Sequence, residues 1–133
     1  MTDPYVRAEY PHSATTAKII ATAKTVHRAL GPGFEEVIHQ RALALELAAQ
    51  GLDFSREVWL DVHYRGQKVG RKRVDFIVER VMVEIKAKAE LADVDIVQTL
   101  SYLKASGYTV GLLLNFGTKI LGSKRLVNEQ RNR

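Results

Sequence analysis

Residues 74–88, VDFIVERVMVEIKAK, constrain the fold more than any other part of the chain. Two runs rich in Val, Ile and Phe are separated only by Glu79-Arg80, so they can pair only as an antiparallel hairpin. With those two residues at the turn, pairing steps outward from Val78–Val81 through Phe76–Val83 to Asp75–Glu84. One face then carries Val74, Phe76, Val78, Val81, Val83, Ile85 and Ala87, a core surface. The other carries Arg73, Asp75, Ile77, Met82, Glu84, Lys86 and Lys88. Glu-Arg is not a favoured turn dipeptide, and an odd-length loop would put the two acids on opposite faces.

Directly opposed side chains have Cβ atoms about 4.5–5.5 Å apart. Two carboxylates so close need a proton, a basic partner or a metal ion. Two arrangements meet that need. In one, Asp75 and Glu84 hold a divalent cation such as Mg²⁺ or Mn²⁺, the backbone carbonyl of Ile85 completes an all-oxygen site, and Lys86 sits beside it. There Lys86 would orient a water or stabilise charge on a phosphate. In the other, the acids join Arg73, Lys86 and Lys88 in a ladder of surface salt bridges. The register alone leaves both open.

The remaining composition narrows the setting. At 133 residues the chain fits one domain, and 46% apolar with 26% charged residues excludes wholesale disorder. The absence of cysteine excludes a disulfide framework and thiolate metal sites. No apolar run approaches the roughly 20 residues that span a bilayer, and no signal peptide opens the chain, so a cytoplasmic protein without a membrane partner is expected. The polar, Pro-punctuated start predicts a loosely ordered arm at 1–12, a single domain at 13–127 and a basic tail at 128–133.

The net charge of +5 favours polyanionic partners. RGQKVGRKR gathers Arg65, Lys68, Arg71, Lys72 and Arg73, and further cations (Lys119, Lys124, Arg125, Arg131, Arg133) lie toward the C-terminus. By itself such a run is a solvated basic face. Because it leads along a strand into Asp75, it also suits a phosphate backbone on its way to that residue.

Ile19, Ile20, Ala23, Val26 and Leu30 recur at helical spacing over 13–30, with Ser13 as N-cap and Gly31-Pro32-Gly33 as the stop. A second helix is predicted over 34–50, burying Phe34, Val37, Ile38, Ala42, Leu45 and Ala49, with Glu35 and Glu36 in its first turn. Strands follow at 58–64, 69–78 and 81–88. A third helix at 93–106 buries Ile96, Val97, Leu100 and Leu103, and a strand at 109–116 is apolar on both faces. The order is α-α-β-β-β-α-β, followed by a short last strand near 123–127, and it packs as a mixed sheet flanked by helices.

Asp75 followed nine residues later by Glu84-Ile85-Lys86 resembles the D…(D/E)xK signature of the PD-(D/E)XK nuclease superfamily. An acid on the preceding helix (Glu36), a QxxxY element (Gln98 and Tyr102 in QTLSY) and the αβββαβ element order strengthen the likeness. It is closest to the small GxxExxY proteins, through Gly33 and Glu36 in GFEEVIH and through LSYLKASGYTVGLLLNFG, and spans residues 19–125. The resemblance implies a restriction-endonuclease-like α/β fold and a Mg²⁺- or Mn²⁺-dependent hydrolase of phosphodiester bonds in DNA. It makes Asp75 and Glu84 metal ligands, Lys86 the catalytic lysine, Glu36 a supporting acid, and Gln98 and Tyr102 contacts lining the pocket. Read plainly, Glu36 is a helix N-terminal acid and Gln98 with Tyr102 a polar helix edge.

His39 stands where the family has tyrosine. It takes over that residue's packing and hydrogen bond, or joins Glu36 in a Glu-x-x-His metal pair. His12 and His27 look incidental, and His63 structural. Arg65 to Arg73 and Lys88 are expected to meet nucleic acid. A domain this small has little surface with which to grip DNA, so a homodimer or protein partner is expected. The rival reading is a non-catalytic nucleic-acid-binding or protein-interaction domain on the same fold.

Overall fold

The computed structural model describes residues 11–128, so the expected arm and tail lie almost wholly outside the described residues. Helices α1 (Ser13–Leu30) and α2 (Glu36–Ala49) precede β1 (Phe54–Tyr64), β2 (Gln67–Val78) and β3 (Val81–Lys86). Then come α3 (Asp93–Ser106), β4 (Val110–Asn115) and β5 (Gly122–Val127). The strands form one sheet in the order β1-β2-β3-β4-β5. Only β3 and β4 run parallel, with α3 as their crossover. Three helices on a five-stranded mixed sheet is the restriction-endonuclease-like α/β architecture expected.

Both faces of the sheet are covered. Ile19 and Ala23 of α1 and Leu43 and Leu47 of α2 close over Phe76, Val83 and Leu112 on one side. Leu103 of α3 closes over Ile77, Met82 and Leu126 on the other. All six residues of β4 are therefore buried, which is why this strand has no polar alternation. Truncating a fully buried leucine such as Leu43 to alanine costs about 2–5 kcal/mol.

Two helix faces differ from expectation. Phe34, Val37 and Leu45 are 47%, 42% and 76% exposed, whereas His39, Gln40, Leu43, Ala44 and Leu47 are buried. Apolar residues occur nearly all round α2, so their period singles out no face. On α3, Val97 is exposed while Asp95 and Thr99 are buried, because Asp95 bonds locally to Lys88 and the Ala92 N–H. Ser13 is the first helical residue rather than the cap, and His12 takes the position before it.

Tyr64 and Gln67 close a two-residue turn in which Arg65 and Gly66 both have positive φ, 51° and 76°. That is the combination a type I′ hairpin turn requires. The β2–β3 turn is also two residues long, with Glu79 at φ 55° and its N–H donated to the Asp53 carbonyl at 2.9 Å.

The outer hairpin turns over where it leaves the sheet. Arg56 pairs with Phe76 and Val58 with Val74, but the intervening Glu57 has φ 51° and is not paired with Asp75. Before this crease, Phe54 and Phe76 pack toward α1 and α2; beyond it, Val58, Leu60 and Val74 pack toward α3. Val74 is thus not on the face expected for it, since a left-handed residue in the partner strand breaks the two-residue alternation.

Candidate functional site

The crease falls at Asp75, and the acids expected to oppose each other meet there. The β2–β3 ladder runs Val78–Val81, Ile77–Met82, Phe76–Val83 and then stops. Past that point carboxylates take over from backbone carbonyls. Glu84 Oε1 accepts the Asp75 N–H at 2.8 Å, and Asp75 Oδ2 accepts the Ile85 N–H at 2.7 Å. The strands part while each is still held by the other's side chain.

A second connection comes from α2. Gln40 donates its Nε2 to Asp75 Oδ1 at 2.8 Å, and its Oε1 accepts from Arg56 Nη2 at 3.1 Å. Arg56, Gln40 and Asp75 therefore form one chain of polar contacts that holds Asp75 Oδ1, while the Ile85 N–H holds Oδ2. Glu36 lies one turn before Gln40, at the first residue of α2. A cleft of about 260 Å³ opens between Glu36, Val37 and Gln40 on one side and Glu57, Arg73, Val74 and Asp75 on the other.

The electrostatics are those of too much negative charge. The Glu84 carboxyl is pushed up to about 8, first by burial and then by the charge of Asp75, and Lys86 only partly opposes this. Burial, followed by Asp75, also raises Glu36. Among the described residues no three His, Asp or Glu side chains gather into a cage, so Glu36 does not complete one with the pair. A cation here would take the two carboxylates and fill its shell with backbone oxygen and water, a manner that suits Mg²⁺. The donor set and the missing positive charge fit such an ion.

The other expected residues divide. Lys86 reaches Gln98 Oε1 at 3.4 Å, so Gln98 does face the hairpin's polar end. Tyr102 instead packs against the apolar cluster under α3. The Lys88 ammonium is held by the buried Asp95 carboxylate at 2.7 Å, which leaves it poorly placed to meet a nucleic acid. Lys88 and the Ala92 N–H in turn keep the Asp95 carboxyl below its ordinary value.

Arg65, Lys68, Arg71, Lys72 and Arg73 all lie exposed on the outer hairpin. Lys68 pairs with Asp61 at 3.2 Å, and Arg71 and Arg73 sit over the Trp59 ring. His39 is fully buried and stacks on Phe116 with ring centroids 4.7 Å apart. Neither ring nitrogen has a hydrogen-bond partner, so of the tyrosine's two expected roles only the packing is present. His27 is not incidental: it is buried, and its Nε2 lies 2.8 Å from the Thr118 carbonyl oxygen.

The sequence alone does not point to Gln40, Arg56 or Glu57. For Gln40 there was a signal, since it follows Glu36 by one helical turn and shares its face. For Glu57 there was none, because nothing in REVWL announces a left-handed glutamate.

Residues 13–126 match the family model of the PD-(D/E)XK nuclease superfamily. No curated protein and no solved structure matches the chain.

Proposed function

The chain belongs to the PD-(D/E)XK nuclease superfamily, and from that premise we propose that it is a metal-dependent deoxyribonuclease of the GxxExxY type, with its site at Asp75, Glu84 and Lys86. Nucleases of this superfamily generally use divalent metals, and Mg²⁺ or Mn²⁺ is the ion proposed here. The observation that carries the reading is the pair of close carboxylates, one buried, at the point where β2 and β3 part. A ladder of salt bridges would have given these acids basic partners. Instead Asp75 and Glu84 bind each other's strands, and Glu84 retains a raised carboxyl.

Asp75 and Glu84 would hold the ion, with Ile85 contributing its carbonyl and Glu36 orienting a water from the α2 side. When bound, the ion supplies the charge that polarises the scissile phosphate and eases deprotonation of water. Gln40, itself held by Arg56, keeps Asp75 from rotating away. Lys86 lies on the same strand face as Glu84, and its ammonium would stabilise the attacking hydroxide or the charge developing on the phosphate. Gln98 positions that ammonium. Arg73, on the cleft wall beside Asp75, would meet the backbone of the incoming strand. The working unit is a single domain over residues 13–127, acting in the cytoplasm alone, as a homodimer or with a partner.

The test is cleavage of linear, nicked and circular DNA in Mg²⁺ and in Mn²⁺. The wild type should cut and Lys86→Ala should lose at least about a hundredfold in rate, the scale on which removing a charge-stabilising group acts. Retention of DNA without cleavage in either ion would replace this reading with a binding module.

A further inference from the structure

We propose that Trp59, flanked by Arg71 and Arg73, is a stacking platform for an unpaired nucleotide, so that this site takes its substrate as a single strand, overhang or frayed end rather than as closed duplex. The inference rests on the nuclease reading of the neighbouring cleft.

Trp59 sits on β1 directly opposite Arg73, while Val58 and Leu60 on either side turn toward α3. Its indole thus projects from the opposite face of the hairpin and is 49% exposed, an unusual place to leave so large an apolar ring. The Arg71 guanidinium lies 4.0 Å from the ring centroid and that of Arg73 5.3 Å. The strand partner of Arg71 is Asp61, but that carboxylate is engaged by Lys68. Among the described residues no carboxylate comes within salt-bridge distance of Arg71 or Arg73. The platform therefore combines an aromatic surface with two cations whose donors are not spent on acids, which is the chemistry that holds a base and its phosphates together.

Position ties it to the cleft. Arg73 is a wall residue of the cleft and Asp75 lies two residues further along β2, roughly 7 Å at the usual strand rise. A nucleotide stacked on Trp59 would have its own phosphodiester at the cleft mouth. In closed duplex the base faces are covered by stacked neighbours and only their edges reach the grooves. A ring presented this way can engage only an unstacked base. Every base has such a face, so the platform carries little sequence preference.

Trp59 is the only tryptophan in the chain, which makes its fluorescence a direct readout. The protein is titrated in EDTA with a mixed-sequence strand of about 12 nucleotides and with the same sequence as blunt duplex. The single strand should quench the emission and the duplex should leave it nearly unchanged. Trp59→Ala should lower single-strand affinity about five- to a hundredfold, with duplex affinity unchanged and Trp59→Phe retaining most of the binding. Equal quenching by both forms, quenching by neither, or an alanine variant with unaltered single-strand affinity would overturn the proposal. If the alanine variant does not fold, as judged by circular dichroism, wild-type quenching and the phenylalanine variant decide. Cleavage in Mg²⁺ or Mn²⁺ is read separately. Cutting without quenching removes the platform and leaves the nuclease, whereas quenching without cutting does the reverse.

Discussion

At the scale of the residue, Glu84 and His39 carry opposite pH signatures. The Glu84 carboxyl is pushed up to about 8, by burial and then by Asp75, from an ordinary value of 4.5. Across that window the folded protein keeps a proton that the unfolded chain has released, so metal-free stability falls as pH rises from about 4.5 to 8. Glu84→Gln should flatten that slope and melt above the wild type at about pH 8 in EDTA; a wild-type melting curve with no slope there would refute the assignment. His39 is held below 6.5, by burial first and His27 second. Here the unfolded chain binds the extra proton, so the stability present at neutral pH is lost as pH falls through and below 6.5. His39→Phe keeps the stack on Phe116 and removes two buried nitrogens without partners. We expect it to raise unfolding free energy by about 1–3 kcal/mol and to reduce the loss on the acid side, as urea titration at two pH values would show.

At the scale of the element, the β2–β3 hairpin was legible because two residues separate its strands, and that spacing fixes the register. The α1 and α3 boundaries were legible because Gly31 and Gly107 take the left-handed φ that ends a helix. The crease was not. It arises from Glu57 at φ 51° and from two carboxylates bonding to backbone N–H groups, and no alternation of apolar and polar residues encodes either. The face of α2 was hidden for another reason: its apolar residues give no single stripe, and Gln40 is turned inward by its bonds to Asp75 and Arg56. That link predicts that Gln40→Ala, which leaves Asp75 free to rotate, weakens Mn²⁺ binding about 10–100-fold while the fold persists. Calorimetric titration checks the first part and circular dichroism the second. In the outer hairpin, Arg65 holds the positive φ that Asn adopts more easily, so Arg65→Asn should raise the melting temperature with a gain of up to about 1 kcal/mol.

For the whole molecule, the helices seal both faces of the sheet and leave the long β1–β2 hairpin projecting past β3, with its cations in water. The basic run and its alternation between faces were visible in the sequence; the irregularity at Val62/His63 that sets Trp59 opposite Arg73 was not. Arg71 and Arg73 share a face with Trp59, while Lys72 opposes Leu60. Nucleic-acid affinity should fall linearly with log salt, and Lys72→Ala should reduce the slope by about 1 if that side meets phosphate. Whether half-buried Asp75 and buried Glu84 hold a divalent ion is read by calorimetric titration with Mn²⁺. At about pH 7 the wild type should bind the ion and release close to one proton, since Glu84 must give its proton up, with the release vanishing above about pH 9. Glu84→Gln should bind at least about tenfold more weakly and release none. No binding by the wild type, or undiminished binding by Glu84→Gln, would contradict the claim that Asp75 and Glu84 are the seat of the chemistry.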